Sequence, residues 1–333
     1  MSALLEVKHL TKHYPVRKGV FGETTGQVHA VDDVSFTIGE GETLGLVGES
    51  GCGKSTIGKV ILRLVDVTSG SVEWRGTRID TLGEADVRPF RRELQAVFQD
   101  PYSSLNPRMR AADIVAEPIR NFESAGKGEI AGRVAALFGK VGLRPDQMVK
   151  YPYEFSGGQR QRLGIARALA PHPWLIVCDE PVSALDVSVQ AQVINLLRDL
   201  QQELGLSYLF VAHDLAVVEH ISHRVAVMYL GKIVELADRR SLFAQPQHPY
   251  TEALLSAVPV PNPKAVRKRI ILKGDVPSPI NPPKGCRFNT RCPYAFDRCR
   301  SEEPELRPVV GGHFAACHLH DRPAAENPLA GGR

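Results

Sequence analysis

The sequence predicts an α/β protein built around a parallel sheet, followed by a small, irregular, Cys-rich C-terminal domain. Three observations carry this. Short apolar runs alternate with segments of helical period from about residue 43 to residue 212, the order of a parallel sheet with crossover helices. Trp174 to Cys178 is continuously apolar, as a strand buried on both faces must be. The composition then changes: residues 256–333 hold twelve of the 24 prolines, four of the six cysteines, and thirteen Lys and Arg against seven Asp and Glu.

The elements follow in order. Residues 3–9 and 28–38 predict short strands separated by a Gly- and charge-rich loop from Pro15 to Gln27. Thr43 to Val47 is an apolar strand that runs into a Gly-rich loop. A helix follows, with Ile57, Val60, Ile61, Leu64 and Val65 on one face. Leu94 to Phe98 predicts a strand, and residues 110–150 lean helical with breaks at Pro118, Gly126, Gly142 and Pro145. A helix begins after Ser156, a strand covers Trp174 to Cys178, a helix covers Ala191 to Leu204, and a strand covers Leu206 to Ala212. Beyond residue 256 the prolines come too often for long helices.

With 333 residues, 43% of them apolar, the chain has ample material for a buried core and for roughly two domains. A net charge of +4 is too near zero to argue for nucleic acid. No run approaches the ~18–20 apolar residues that span a bilayer. Glu6 and Lys8 interrupt the N-terminus too early for a signal peptide. The expectation is a soluble, cytoplasmic chain whose membrane role comes through partners.

Three motifs carry chemistry. Gly48-Glu49-Ser50-Gly51-Cys52-Gly53-Lys54-Ser55 matches the phosphate-binding P-loop. Its glycines let backbone N–H groups face a β-phosphate, Lys54 reaches the β- and γ-phosphates, and the Ser55 hydroxyl ligates Mg²⁺. Thr56, next on the same helix, joins the nucleotide-binding set. Next, the strand Trp174 to Cys178 ends in Asp179 and Glu180, the pattern of a Walker B element. Asp179 is suited to holding Mg²⁺ and Glu180 to polarising the attacking water. Last, Ser156-Gly157-Gly158-Gln159-Arg160-Gln161-Arg162 opens a helix at which an anion can approach the N-terminus.

Together these residues resemble the ATPase domain of ABC proteins across roughly residues 3–250. The resemblance implies a RecA-like parallel sheet core, an antiparallel β subdomain and a helical subdomain at about residues 100–155. It implies that Tyr14 stacks on adenine. Gln99 becomes the Q-loop glutamine that senses Mg²⁺ and water, Ser183 to Asp186 the D-loop, and His213 the histidine that contacts the γ-phosphate. It also implies that ATP is sandwiched between the P-loop of one subunit and Ser156, Gly157, Gly158 and Gln159 of another. The working unit is then a dimer, and a groove of the helical subdomain receives a helix from a membrane subunit. Phe155 stands where the family usually has Leu, and keeps the position apolar.

The chain has one ATPase domain, no fused membrane helices and no sustained heptads, which sets it apart from double-domain, exporter-type and coiled-coil relatives. Three stretches narrow the resemblance: His13 to Gly19, Gln247 to Leu255, and Asn281 to Phe288. They resemble the dipeptide and oligopeptide permease ATPases, specifically the subunit called F. That implies an ATPase coupled to uptake of dipeptides or short oligopeptides, working peripherally at the cytoplasmic face of the inner membrane. The implied partners are a second, related ABC ATPase subunit, two integral permease subunits and a periplasmic or extracellular solute-binding protein, with no nucleic acid. Two alternatives stand beside this: import of nickel or another peptide-like solute, and a cytosolic ABC protein with a zinc-type nucleic-acid-binding tail.

The tail cysteines, Cys286, Cys292, Cys299 and Cys317, are separated by five, six and seventeen residues. A cytoplasmic chain does not hold them as disulfides. Zinc sites favour closer pairs, so the spacing suits an iron–sulfur cubane better, with zinc or no metal as the alternatives. The family resemblance also implies a [4Fe-4S] cluster. Cys52 and Cys178, inside the motifs, read as packing residues. The expected division is an ATP-binding domain over residues 1–255 and a C-terminal domain over 256–333.

Overall fold

The computed structural model describes residues 3–18, 23–258 and 269–329. The strands among these residues are β1 (Leu5–Lys18), β2 (Glu23–Ile38), β3 (Thr43–Val47), β4 (Ser69–Trp74), β5 (Thr77–Arg78), β6 (Leu94–Val97), β7 (Leu175–Asp179), β8 (Ser207–Ala212), β9 (Arg224–Tyr229), β10 (Lys232–Asp238), β11 (Arg307–Val310) and β12 (His313–Ala315). They form two sheets. One is antiparallel, in the order β2-β1-β4-β5, and the other runs β11-β12-β10-β9-β3-β8-β7-β6. Strands β9, β3, β8, β7 and β6 pair in parallel. Strands β10, β12 and β11 add to them antiparallel. The large sheet is therefore mixed rather than purely parallel, and its last two strands come from the C-terminal region.

Alternation along the central strands builds a core on each face of the large sheet. Leu44 and Leu46, Leu175 and Val177, and Leu209 and Val211 face the layer that includes β1, β2 and β4. Ile176 and Cys178, with Tyr208 and Phe210, face the opposite layer with the helices. That second layer contains the helices Ala111–Phe122, Lys127–Lys140, Gly157–Leu169 and Val187–Leu204. The last of these starts at an Asp186 cap, buries Val193, Ile194, Leu197 and Leu200, and stops at Gly205 with φ 67°.

Several local expectations are revised. The first two strands are longer than expected, because pairing continues through Pro15–Gln27, Val16–Gly26 and Arg17–Thr24. Residues 19–22, the tip of the expected loop, lie outside the described residues. The P-loop helix runs only Lys54–Ile61. Arg63 takes a left-handed φ of 54°, so Leu64 leaves the apolar face and is 55% exposed. Pro118 does not break its helix but sits inside Ala111–Phe122. Burial of Ile114, Val115 and Ile119 on that helix outweighs the lost backbone hydrogen bond, which costs ~3 kcal/mol in an isolated helix.

Candidate functional site

The P-loop connects β3 to the helix Lys54–Ile61. Gly53 has φ 108°, and a Cβ there would lie 1.9 Å from the Ala30 carbonyl oxygen, so only glycine fits. This contact sets β2 against the loop. Two residues back on β2, Val28 pairs with Tyr14 of β1, and the Lys12 ammonium lies 4.9 Å from the Tyr14 ring centre. Gly48, Ser50 and Gly51 shape the loop with Cys52, which is buried beside Lys54. The Lys54 amine donates to the carbonyls of Gly48 at 2.8 Å and Glu49 at 3.0 Å, across the loop's mouth. Thr56 follows on the first turn of the helix.

Ser55 and Asp179 meet here. The Ser55 hydroxyl donates to Asp179 Oδ1 at 2.8 Å. Burial raises the Asp179 carboxyl, the Ser55 hydrogen bond opposes this, and the neighbouring Glu180 charge adds to it. A hydroxyl and a carboxylate brought together at a P-loop are the oxygen donors that a hard Mg²⁺ ion takes.

Glu180 is where three separated sequence segments converge. Gln99 Nε2 donates to Glu180 Oε2 at 3.1 Å, and His213 Nδ1 lies 3.1 Å from the same oxygen. Adjacent parallel strands explain the convergence: β6, β7 and β8 deliver Gln99, Glu180 and His213 just beyond their C-terminal ends. The Glu180 backbone is left-handed, with φ 48°, and its N–H donates to the Val211 carbonyl at 3.0 Å. A non-glycine residue in that region stores backbone strain.

Ser156 caps the helix Gly157–Leu169. Its hydroxyl accepts from the Gln159 N–H, while the Gln159 side-chain oxygen accepts from the Ser156 N–H at 3.0 Å. A Cβ on Gly158 would come within 2.4 Å of Val189 Cγ1, so the two helices pack there only without a side chain. Gly157 sits against Leu185 of the D-loop segment. Phe155 is buried. Arg160 donates to the Pro152 carbonyl at 2.6 Å and stacks 3.7 Å from the centre of the Tyr102 ring, three residues beyond Gln99.

A second grip on the P-loop comes from residues that the motifs do not reveal. Tyr250 Oη accepts the Glu49 backbone N–H at 2.9 Å. Arg291 holds the Glu49 carboxylate with two hydrogen bonds, at 2.7 and 3.1 Å. Tyr229, Tyr250 and Phe288 pack with ring centres 4.7–5.4 Å apart. Arg287 bonds both the Leu230 carbonyl and Asp32. Glu235, fully buried, accepts from the backbone N–H groups of Gln247 and His248, and pairs with His313 of β12 at 2.6 Å. The signals in sequence were the stretches Gln247 to Leu255 and Asn281 to Phe288, legible only as likeness and not as contacts with the loop.

The comparisons agree with this geometry. Residues 31–183 match the family model described as ABC transporter, and residues 234–299 match the one described as oligopeptide/dipeptide transporter, C-terminal region. The chain is 58% identical over 323 residues to the probable peptide ABC transporter ATP-binding protein y4tS of Sinorhizobium fredii, covering 97% of this chain and 92% of that one. It is 52% identical to the oligopeptide transport ATP-binding protein AppF of Bacillus subtilis, covering 95% and 97%. Among solved structures it resembles the dimeric, post-hydrolysis state of the ATP-binding cassette MJ0796 bound to ADP and Pi. There the TM-score is 0.63 and the identity 28%, covering 71% of this chain and 99% of that one.

The iron–sulfur expectation is corrected. The names of these relatives speak of ATP binding and peptide transport and indicate no cluster. Among the described residues, no group of metal-ligating side chains close enough to share a single ion includes Cys286, Cys292, Cys299 or Cys317, which removes the one-ion zinc alternative as well. The four thiols lie near one another, with Cys299 and Cys317 buried and Cys286 and Cys292 half-buried. Burial pushes Cys286 up to about 12 and Cys292 up to about 11, and raises Cys317 as well. Cys317 packs with Leu319, Leu329, Tyr294 and Phe296. Buried thiols behave as small apolar groups, and wide spacing in sequence does not separate that role from metal binding. Cys52 and Cys178 are also buried. No helix among the described residues is long and apolar enough to cross a membrane. With full-length likeness added to the P-loop, the Glu180 cluster and the capped helix at Ser156, the chain belongs to the family of peptide ABC transporter ATP-binding proteins.

Proposed function

We propose that this chain is the ATP-hydrolysing subunit of an importer of dipeptides or short oligopeptides. The observation that carries the reading is the Glu180 carboxylate, held by Gln99 and His213 beside the Ser55–Asp179 pair. Lys54 and the P-loop N–H groups bind the phosphates, and Tyr14 stacks on the adenine. Mg²⁺, when bound, would be held by Ser55 and Asp179 with Gln99 near it, and would offset the charge on the phosphate oxygens. Glu180 accepts a proton from the water that attacks the γ-phosphorus as the bond to the leaving ADP oxygen breaks. His213 orients that carboxylate and contacts the γ-phosphate.

Ser156, Gly157, Gly158 and Gln159 act on the nucleotide of a second, related ATPase subunit. Support comes from the exposed D-loop edge, where Val187 is 82% exposed next to Asp186. The helical part, about residues 100–155, takes up a helix from one of two permease subunits, which hold the chain at the cytoplasmic face of the membrane. Tyr102, Val149 and Tyr153, three large exposed apolar side chains in this part, support that. A solute-binding protein outside the membrane supplies the peptide. Residues 1–255 act as the ATPase unit, and the Cys-rich residues 256–333 as a structural appendage, joined to it among the described residues by the pairing of β12 with β10.

The decisive variant is Glu180→Gln, which keeps the shape and loses the base. It should bind ATP with near-native affinity and hydrolyse it at least ~100-fold more slowly, the scale of a lost general base. Hydrolysis at the native rate would overturn the assignment. Peptide uptake in cells lacking the native chain, restored by the natural sequence and not by Glu180→Gln, tests the substrate class.

A further inference from the structure

On the strand that carries Tyr14 and its partner β2 lies a cluster that ATP chemistry does not use. His13 and His29 are direct partners across the β1–β2 ladder, with ring centres 4.1 Å apart. Asp32 lies three residues beyond His29. His13 Nε2 is 3.6 Å from Asp32 Oδ1, and His29 Nδ1 is 3.6 Å from Asp32 Oδ2. Both separations exceed hydrogen-bond reach. Both nitrogens are nonetheless buried and have no hydrogen-bond partner among the described residues. Buried polar nitrogens left this way call for an explanation.

We propose that His13, His29 and Asp32 form a binding site for one divalent transition-metal ion of the zinc type. All three donor atoms lie within 4.8 Å of one another. Two ligands on one tetrahedral zinc, each ~2.0–2.1 Å from the metal, stand roughly 3.3 Å apart, so His13 Nε2, 3.6 Å from Oδ1, needs only a small closure and no pair of donors has to close by more than about 1.5 Å. Two imidazoles and one carboxylate are a zinc donor set that leaves a fourth position for water.

The surroundings fit. The three side chains are largely covered: His13 is 17% exposed, His29 28% and Asp32 23%. The ligands are also held from outside, as metal ligands are. Arg287 bonds Asp32 Oδ2 and leaves Oδ1 directed toward His13. The Asp32 N–H donates to the Gly231 carbonyl at 2.9 Å, and the His29 N–H to the Pro279 carbonyl at 3.0 Å. Arg287 and Lys232 place positive charge near Asp32, which weakens the hold on a cation. The bound ion would pin β1 to β2 beside Tyr14 and tie both to the C-terminal region through Arg287. That consequence for ATP rests on the proposed role of Tyr14, but the binding itself does not.

The test is titration of untagged, chelator-treated full-length chain with Co²⁺ as a visible zinc surrogate, without nucleotide. One equivalent should bind, with visible d–d bands and no thiolate charge-transfer absorption, and zinc should displace it. His29→Asn and His13→Gln should each weaken binding at least ~10-fold with unchanged circular dichroism, while Cys286→Ser leaves it intact. Zinc should raise the melting temperature of the natural chain and of Cys286→Ser but not of His29→Asn. Absence of saturable binding, binding insensitive to both histidine variants, or thiolate bands lost in Cys286→Ser would each overturn the proposal. Native ATP binding in a metal-free chain would leave the metal site standing and show only that Tyr14 does not depend on it.

Discussion

Tyr250→Phe deletes one oxygen and should loosen the P-loop. Tyr250 is fully buried, and its ring keeps its packing against Tyr229 and Phe288 after the change. What disappears is the acceptor for the Glu49 N–H, at 2.9 Å in the native chain. A hydrogen bond of this kind contributes ~0.5–1.5 kcal/mol net, and stranding its buried partner costs ~1–3 kcal/mol. Glu49 still has the two bonds from Arg291, so the loop is weakened rather than released. If the lost free energy falls on the loop, the binding-competent fraction drops and the apparent Kd for ATP rises in proportion. A cost of 1–2 kcal/mol then corresponds to roughly a 5–30-fold weaker Kd. Equilibrium binding of a fluorescent ATP analogue, with urea unfolding of the same sample, separates the outcomes. Both quantities should move. A stability loss of about 1 kcal/mol with an unchanged Kd would refute the reasoning and reduce the contact to ordinary packing.

Two further predictions concern other parts of the fold. Gly158→Ala places a methyl 2.4 Å from Val189 Cγ1 and should cost ~1–3 kcal/mol by urea unfolding, with ATP hydrolysis falling as the helix start shifts. An unchanged midpoint would show that Val189 moves aside freely. His248 is buried, and its pKa is lowered from 6.5 to about 3 by burial and by His320. Its folded pKa lies below its unfolded one, so its contribution is fully present above pH 6.5 and falls by ~1.4 kcal/mol per pH unit below it. Between pH 7 and pH 5 the native chain should therefore lose ~2 kcal/mol more than His248→Asn, which keeps a side-chain acceptor at the helix cap. Parallel curves for the two proteins would remove His248 as the source.

The motif residues were legible in the sequence because their chemistry is local. A P-loop is one continuous run, and the capped start at Ser156 needs only its next three residues. The pairing of Gln99, Glu180 and His213 was legible as roles, by resemblance, but their contact depends on β6, β7 and β8 lying side by side, which a single sequence does not display. The antiparallel extension through β10, β12 and β11 was missed for a related reason. Strand β12 is three residues long, His313–Ala315, and its register is fixed by β10 and by the buried pair of His313 with Glu235. Periodicity has no purchase on so short a strand. The cysteines misled because four thiols close in sequence have the same spacing whether they pack or bind.

The backbone of Glu180 links the fold to the proposed chemistry. A left-handed φ of 48° at a residue with a Cβ is disfavoured, and glycine would relieve it. Glutamate persists there because β8 on one side and the turn at Ser183 on the other hold the peptide. The Glu180 N–H is bonded to Val211, and its carbonyl accepts from both the N–H and the hydroxyl of Ser183. The turn directs the side chain back over the ends of the strands, within reach of Gln99 and His213, instead of onward along β7. The strain is thus supported by β8, buried along its whole length, which is where a base requiring sub-ångström placement has to be anchored.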